Sequence, residues 1–170
     1  SVGIPVSVKL SPYYTSIANF ANRVIEAGAK GLVLFNRFYQ PQIDPDKQIL
    51  KIDMDLSKPE ETRLPLRWIG ILSSDSRTDF AASTGVHTGK DAVKHLLAGA
   101  KAVQCVSVLY LHQIGHIESM NREIMEWMDA RNYDDIESFR GKLNNKEISD
   151  PYAFERAQYV KLLMGRNVLR

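Results

Sequence analysis

The chain has 170 residues, 44% of them hydrophobic and 25% charged, with a net charge of +2, a balance that suits one globular domain and excludes disorder. Its lysines and arginines are dispersed among acids with no aromatic stripe, so nothing points to nucleic acid, and no run approaches the ~20 apolar residues that cross a membrane. The one cysteine, Cys105, rules out an intrachain disulfide and fits a reducing cytosol, so a cytoplasmic protein is expected.

The chain lacks an initiator Met and shows strand character almost at once, in Ile4-Pro5-Val6-Ser7-Val8-Lys9-Leu10. A processed or cut chain is expected, with a first strand over 4–10. Ile17, Phe20, Ala21, Val24 and Ile25 then form one stripe at helical spacing, after a capping Thr15 or Ser16 and before Gly28, and a strand is expected over 31–36. Between Asn36 and Leu66 runs a long polar connection containing Pro41, Pro45, Pro59 and Pro65. Its inner stretch 49–56 alternates apolar and polar residues, which predicts a β-hairpin or an excursion over the ligand face.

Residues 83–107 are the most informative. A strand over 79–84 ends in Thr84-Gly85; Thr88 and Asp91 have capping-box spacing; Ala92, Val93, Leu96 and Leu97 form an apolar stripe; and Gly99 closes the helix before a buried strand over 102–106. This is a βαβ unit. The two helix exits share letters, Ala27-Gly28-Ala29-Lys30 and Ala98-Gly99-Ala100-Lys101, and the match implies a repeated parallel β/α architecture. In such a sheet the strand-to-helix turns aim backbone N–H groups at the end where anionic ligands bind. Helices are expected over 112–131, 134–143 and 150–164.

Other chemistry is thin. Cys105 reads as a packing residue inside a strand, and His87 and His95 as ordinary surface or turn histidines. His112 and His116 have i, i+4 spacing, but the intervening residues lack a zincin glutamate and no third ligand is evident, so no metal site is expected. There is no Ser-His-Asp arrangement and no phosphate-cradling Gly-x-x-x-x-Gly-Lys loop.

The ordered series Val8-Lys9-Leu10-Ser11-Pro12, Phe35-Asn36, Ser83-Thr84-Gly85-Val86 with Thr88-Gly89-Lys90-Asp91, and Val103-Gln104 with Ser107 resembles the C-terminal half of the dihydroorotate dehydrogenase family. The tail Tyr133-Asp134-Asp135-Ile136-Glu137-Ser138-Phe139-Arg140-Gly141-Lys142-Leu143 is similar to the closing segment of its soluble class 1 branch. The resemblance implies an α/β chain of about four β/α units, the C-terminal half of a TIM (β/α)8 barrel. It would be a single domain over 1–170, with 36–66 as the excursion and 134–170 as a C-terminal helical extension.

Carried over residue by residue, the resemblance implies FMN as cofactor, a pyrimidine as substrate, and oxidation of dihydroorotate to orotate in pyrimidine biosynthesis. In that reaction a base takes a proton from C5 while hydride leaves C6 for the flavin. Alternation along the first strand sends Ser7 and Lys9 into the barrel and Val6, Val8 and Leu10 under helices. Lys9 would meet the flavin edge where negative charge collects on reduction, and Asn36 would hold the pyrimidine. Ser83, Thr84, Gly85, Val106 and Ser107 would cradle the FMN phosphate. The family's catalytic base lies in its N-terminal half, so none is expected in this chain.

The sequence departs from the family at the cradle. Members carry Gly-Gly where Thr84-Gly85 stands and Gly-Ser or Gly-Thr where Val106-Ser107 stands, and Arg63-Leu64-Pro65-Leu66 occupies the place of a glycine-rich stretch. Loss of glycine removes easy access to positive φ. These departures keep two other functions open: a non-catalytic barrel relative that binds a phosphorylated ligand or a protein partner, and a Schiff-base aldolase using Lys9. Four strands cannot close a barrel. Val33, Phe35, Ala82 and Gln104 are therefore expected to line an open trough, with a homodimer or association with the missing N-terminal half as the outcome.

Overall fold

The computed structural model describes residues 2–52, 55–74, 77–150 and 152–155. Its frame is a four-stranded, all-parallel sheet in the order β1 (Ser7–Leu10), β2 (Gly31–Leu34), β5 (Asp79–Ser83), β6 (Ala102–Gln104). Helix α1 (Ile17–Glu26) joins β1 to β2, and α3 (Gly89–Ala98) joins β5 to β6. Between β2 and β5 the chain makes an antiparallel hairpin, β3 (Gln42–Asp44) and β4 (Ile49–Lys51), then a 3-10 turn over Pro59–Thr62 and helix α2 (Arg63–Leu72). Beyond β6 come α4 (Ser107–His112), α5 (His116–Asp129) and α6 (Tyr152–Glu155).

The expected capping chemistry of α3 is present in full. Thr88 Oγ1 accepts from the Asp91 N–H at 3.1 Å and Asp91 Oδ2 accepts from the Thr88 N–H at 3.1 Å, while Gly99 closes the helix at φ +109°. The first helix ends likewise, with Gly28 at φ +106°, but Ser16 makes no side-chain cap bond. In both helices the glycine N–H and the next N–H return to carbonyls of the last turn.

The strands are shorter than expected. Pro5 offers no N–H, and β1 begins at Ser7, where the four-residue partner β2 begins its pairing. Val6 is consequently exposed. Strand β2 ends at Leu34, although the Phe35 and Asn36 N–H groups still donate to Ser83 O and Leu10 O. Thr84, at φ +85°, ends β5, and Val106 caps α4, so β6 stops at Gln104 and Cys105 lies just outside it, half-buried. Burial pushes the Cys105 thiol up, which fits an inert packing residue.

The helix-side core holds Leu10, Leu32, Leu34, Phe35, Phe80 and Ala82 against Ile17, Ala21, Ile25 and Ile69. Register explains why Ala82 is here and not in the trough: it pairs with Leu34, whereas Val33 pairs with Lys9 and Ala81 on the other face. Phe35, also expected to face inward, belongs to the helix-side cluster and is 3% exposed.

The helix expected over 112–131 begins only at His116, as α5, because His112 ends the separate helix α4 and Gln113 (φ +66°) breaks the chain between them. Residues 134–143 are turns: the Ser138 N–H donates to Asp135 Oδ1, and Gly141 stands at φ +73°. These turns tie the tail to the barrel, since the Gly141 and Leu143 N–H groups donate to the Leu96 and Leu97 carbonyls and Phe139 is fully buried beside Val93 and Leu96. Of the helix expected over 150–164, α6 is described; residues 156–164 lie outside the described residues.

Candidate active site at the C-terminal ends of the strands

Pairing aligns Lys9, Val33, Ala81 and Ala102 across the inner face of the sheet, with Gln104 one step further along β6. Lys9 Nζ donates to Gln104 Oε1 at 3.2 Å. The two residues sit on the outermost strands, about 14 Å apart in a flat sheet. Their contact therefore records a sheet curled about its inner face, as in a barrel wall.

A cavity of about 540 Å³ opens where β1, β2 and β5 end. Asn36, exposed, lines it together with Tyr13, Phe35, Phe38, Arg63 and Thr84. Arg37 also lines it and ties its rim together: Nε donates to Glu61 Oε1 at 3.0 Å and Nη2 to Asp55 Oδ2 at 3.2 Å, and Nη1 bonds the Asp55 carbonyl. Partial burial lowers the Arg37 pKa, but the two carboxylates outweigh it and raise the value overall.

The turns after β5 and β6 do converge, and a third segment joins them. Ser57 Oγ lies 2.8 Å from Ser107 Oγ, the Ser57 N–H donates to Ser107 Oγ at 2.9 Å, and the Gly85 N–H donates to Ser57 Oγ at 3.3 Å. His87 Nε2 closes the group at 2.7 Å from the Ser57 carbonyl oxygen. Ser57 was not anticipated from the sequence. It reaches its partners across 28 and 50 residues of chain, and no local pattern marks it. Ser83 is buried beside this cluster in sequence, its carbonyl oxygen taken by the Phe35 N–H, while Val106 is exposed at the N-cap of α4.

The cluster suits the phosphate end of a flavin nucleotide in its chemistry: hydroxyls and main-chain N–H groups take part in these bonds and no carboxylate does. Thr84 itself takes the left-handed backbone natural to glycine.

Histidine placement differs from the sequence expectation. His95 is fully buried, because α2 and α5 pack on either side of α3, and Nε2 lies 2.6 Å from Thr62 Oγ1. Burial lowers its pKa to about 4. His87 is half-buried within the Ser57 group. The His112 and His116 rings stack at 4.9 Å, and His116 Nε2 bonds the His87 carbonyl. Among the described residues no group of three or more His, Cys, Asp or Glu could hold a metal ion, and no helix is long and apolar enough to cross a membrane.

A curled parallel sheet, helices on its outer face and polar turns gathered at the C-terminal strand ends define a partial (β/α)8 barrel. Residues 2–128 match the sequence model described as "Dihydroorotate dehydrogenase", and the chain belongs to that family. It is 30% identical over 142 residues to the catalytic subunit of dihydroorotate dehydrogenase B (NAD(+)) of Alkaliphilus oremlandii, covering 82% of this chain and 47% of the relative. To dihydroorotate dehydrogenase (fumarate) of Lachancea kluyveri it is 44% identical over 61 residues, 36% of this chain and 19% of the relative. The crystal structure of the Eimeria tenella enzyme DHODH in complex with ferulenol superposes with a TM-score of 0.65 at 21% identity, over 81% of this chain and 38% of the other. The chain thus spans less than half the length of these relatives.

Proposed function

We propose that this chain carries part of the flavin and substrate site of an FMN-dependent oxidoreductase that converts dihydroorotate to orotate. The observation that carries the reading is the gathering, at one end of the sheet, of the Lys9–Gln104 pair, the Asn36 cavity and the Ser57–Gly85–Ser107 cluster. Family membership supplies the reaction class.

Each residue has a role suited to its chemistry. The cluster of Ser57, Thr84-Gly85 and Val106-Ser107, next to Ser83, would hold the phosphate of FMN. Bound flavin supplies a two-electron acceptor. Lys9 would present its ammonium where negative charge develops when the flavin is reduced. The Asn36 amide both donates and accepts, which matches the alternating N–H and C=O edge of a pyrimidine, and Tyr13 and Phe38, whose rings lie 5.9 Å apart, give the cavity an aromatic wall.

One observation favours a second reading, a non-catalytic barrel relative: in this structure the hydroxyls and N–H of the cluster bond one another. A titration tests the phosphate role of the cluster, and flavin reduction by dihydroorotate in a completed barrel separates the two readings. FMN added to the ¹⁵N-labelled chain should shift the Gly85 and Ser107 amides, whereas riboflavin, which lacks the phosphate, should leave them in place. Identical behaviour of the two ligands would remove the phosphate role from the cluster.

A further inference from the structure

Thr84 stands at φ +85°, in the left-handed region that a β-branched residue seldom adopts. Its neighbour Gly85, at φ +75°, has a packing reason for being glycine, because a Cβ there would lie 2.4 Å from the Thr62 nitrogen. Glycine would suit the backbone at position 84 better than threonine does. What threonine adds is a hydroxyl, and Oγ1 donates to the Phe35 carbonyl oxygen at 3.2 Å.

That carbonyl and the Asn36 N–H are the two polar ends of one peptide group. The N–H donates to the Leu10 carbonyl at the end of β1, at 2.7 Å. The peptide is therefore gripped from both sides, by β1 through its N–H and by the turn after β5 through its carbonyl. It lies beyond the last paired residue of β2, where the sheet ladder no longer holds it. Asn36 and Thr84 line the same cavity.

We propose that Thr84 is a positioning residue: its hydroxyl, carried on a strained left-handed backbone, fixes the Phe35–Asn36 peptide and so sets where the Asn36 amide meets a planar pyrimidine in the cavity. The proposal rests on the substrate role given to Asn36 above. A residue at the turn expected to cradle phosphate is in this way committed to the substrate side of the site.

The test uses the full chain with Thr84→Ser, Thr84→Val and Thr84→Gly, reading amide hydrogen exchange at Asn36 and the urea unfolding midpoint. Serine keeps the hydroxyl and should leave Asn36 exchange within about twofold of the parent. Valine and glycine remove it and should speed that exchange roughly three- to tenfold, the worth of one hydrogen bond. Glycine should do so with an unfolding midpoint equal to or above the parent's, since it releases the strain. Asn36 loosened while global stability holds is the signature of positioning, because a purely structural role would lower both together. Unchanged exchange in the valine and glycine variants, or equal loss in the serine variant, overturns the proposal; should valine fail to fold, serine against glycine decides it. A separate titration of the parent with orotate, read at the Asn36 side-chain amide, tests the substrate role. Its failure would strike that role alone, since the exchange data still decide whether Thr84 holds the peptide.

Discussion

Lys9 on the first strand of the sheet and Gln104 on the last are joined by a 3.2 Å hydrogen bond across the two strands between them. The bond holds the ammonium over the inner face, near the strand ends, where the proposed flavin edge would lie. In a complete barrel carrying this segment, Lys9→Ala should slow flavin reduction by about 10²-fold, the usual loss of one preorganised charge-stabilising donor, with a much smaller change in substrate affinity. Single-turnover reduction at the parent rate would remove Lys9 from the chemistry.

Arg37 clasps the far end of the excursion through Asp55 and Glu61. Both pairs are partly exposed, so Arg37→Ala should cost about 1 kcal/mol of stability. Its larger effect should be on the excursion, which ought to become more sensitive to limited proteolysis between β3 and β4. A proteolysis pattern identical to the parent's would show that the clasp does not hold the segment.

His95 makes stability depend on pH. Its ordinary value of 6.5 is lowered to about 4 in the folded chain by burial. Between these values the unfolded chain binds more protons, so the His95 contribution, up to about 3 kcal/mol, is present above pH 6.5 and is lost as pH falls toward 4. His95→Gln keeps a polar group beside Thr62 but does not titrate there. Urea unfolding at pH 7 and pH 4.5 should show a smaller pH effect in this variant than in the parent, and equal slopes would contradict the assignment.

The inner face of the sheet leaves Ser7, Lys9, Ala102 and Gln104 exposed, and β1 and β6 are unpaired edges among the described residues. Closing a barrel at the usual tilt takes about eight strands. The chain should therefore self-associate through this face or these edges. Sedimentation equilibrium should give a dimer at micromolar concentration; a monomer with a sharp cooperative melt would show that the open face needs no cover.

The sequence made legible what local chemistry controls. Thr88 with Asp91 and the closing Gly99 marked α3 almost to the residue, and the alternation of Ser7, Val8, Lys9 and Leu10 assigned the faces of β1. Helix α2 is not legible in the sequence because Pro59 and Pro65 read as loop residues. Both occupy first turns, where the missing N–H has no intrahelical partner to lose. His95 reads as a surface residue because a single apolar stripe does not show that two helices pack against α3. Ser57 and Thr84 acquired their roles from partners 28 to 50 residues away, and such contacts leave no periodic trace.

A hybrid barrel tests whether these strands carry the proposed half-sites for flavin and a reduced pyrimidine. The hybrid joins this chain to the N-terminal β/α units of the Alkaliphilus oremlandii catalytic subunit, with its visible flavin band followed on anaerobic addition of dihydroorotate. The hybrid should bind flavin and its band should bleach, while the isolated chain with added FMN should show no oxidation. A folded, flavin-loaded hybrid whose band does not bleach, or turnover by the isolated chain, would overturn the proposed assignment of these residues.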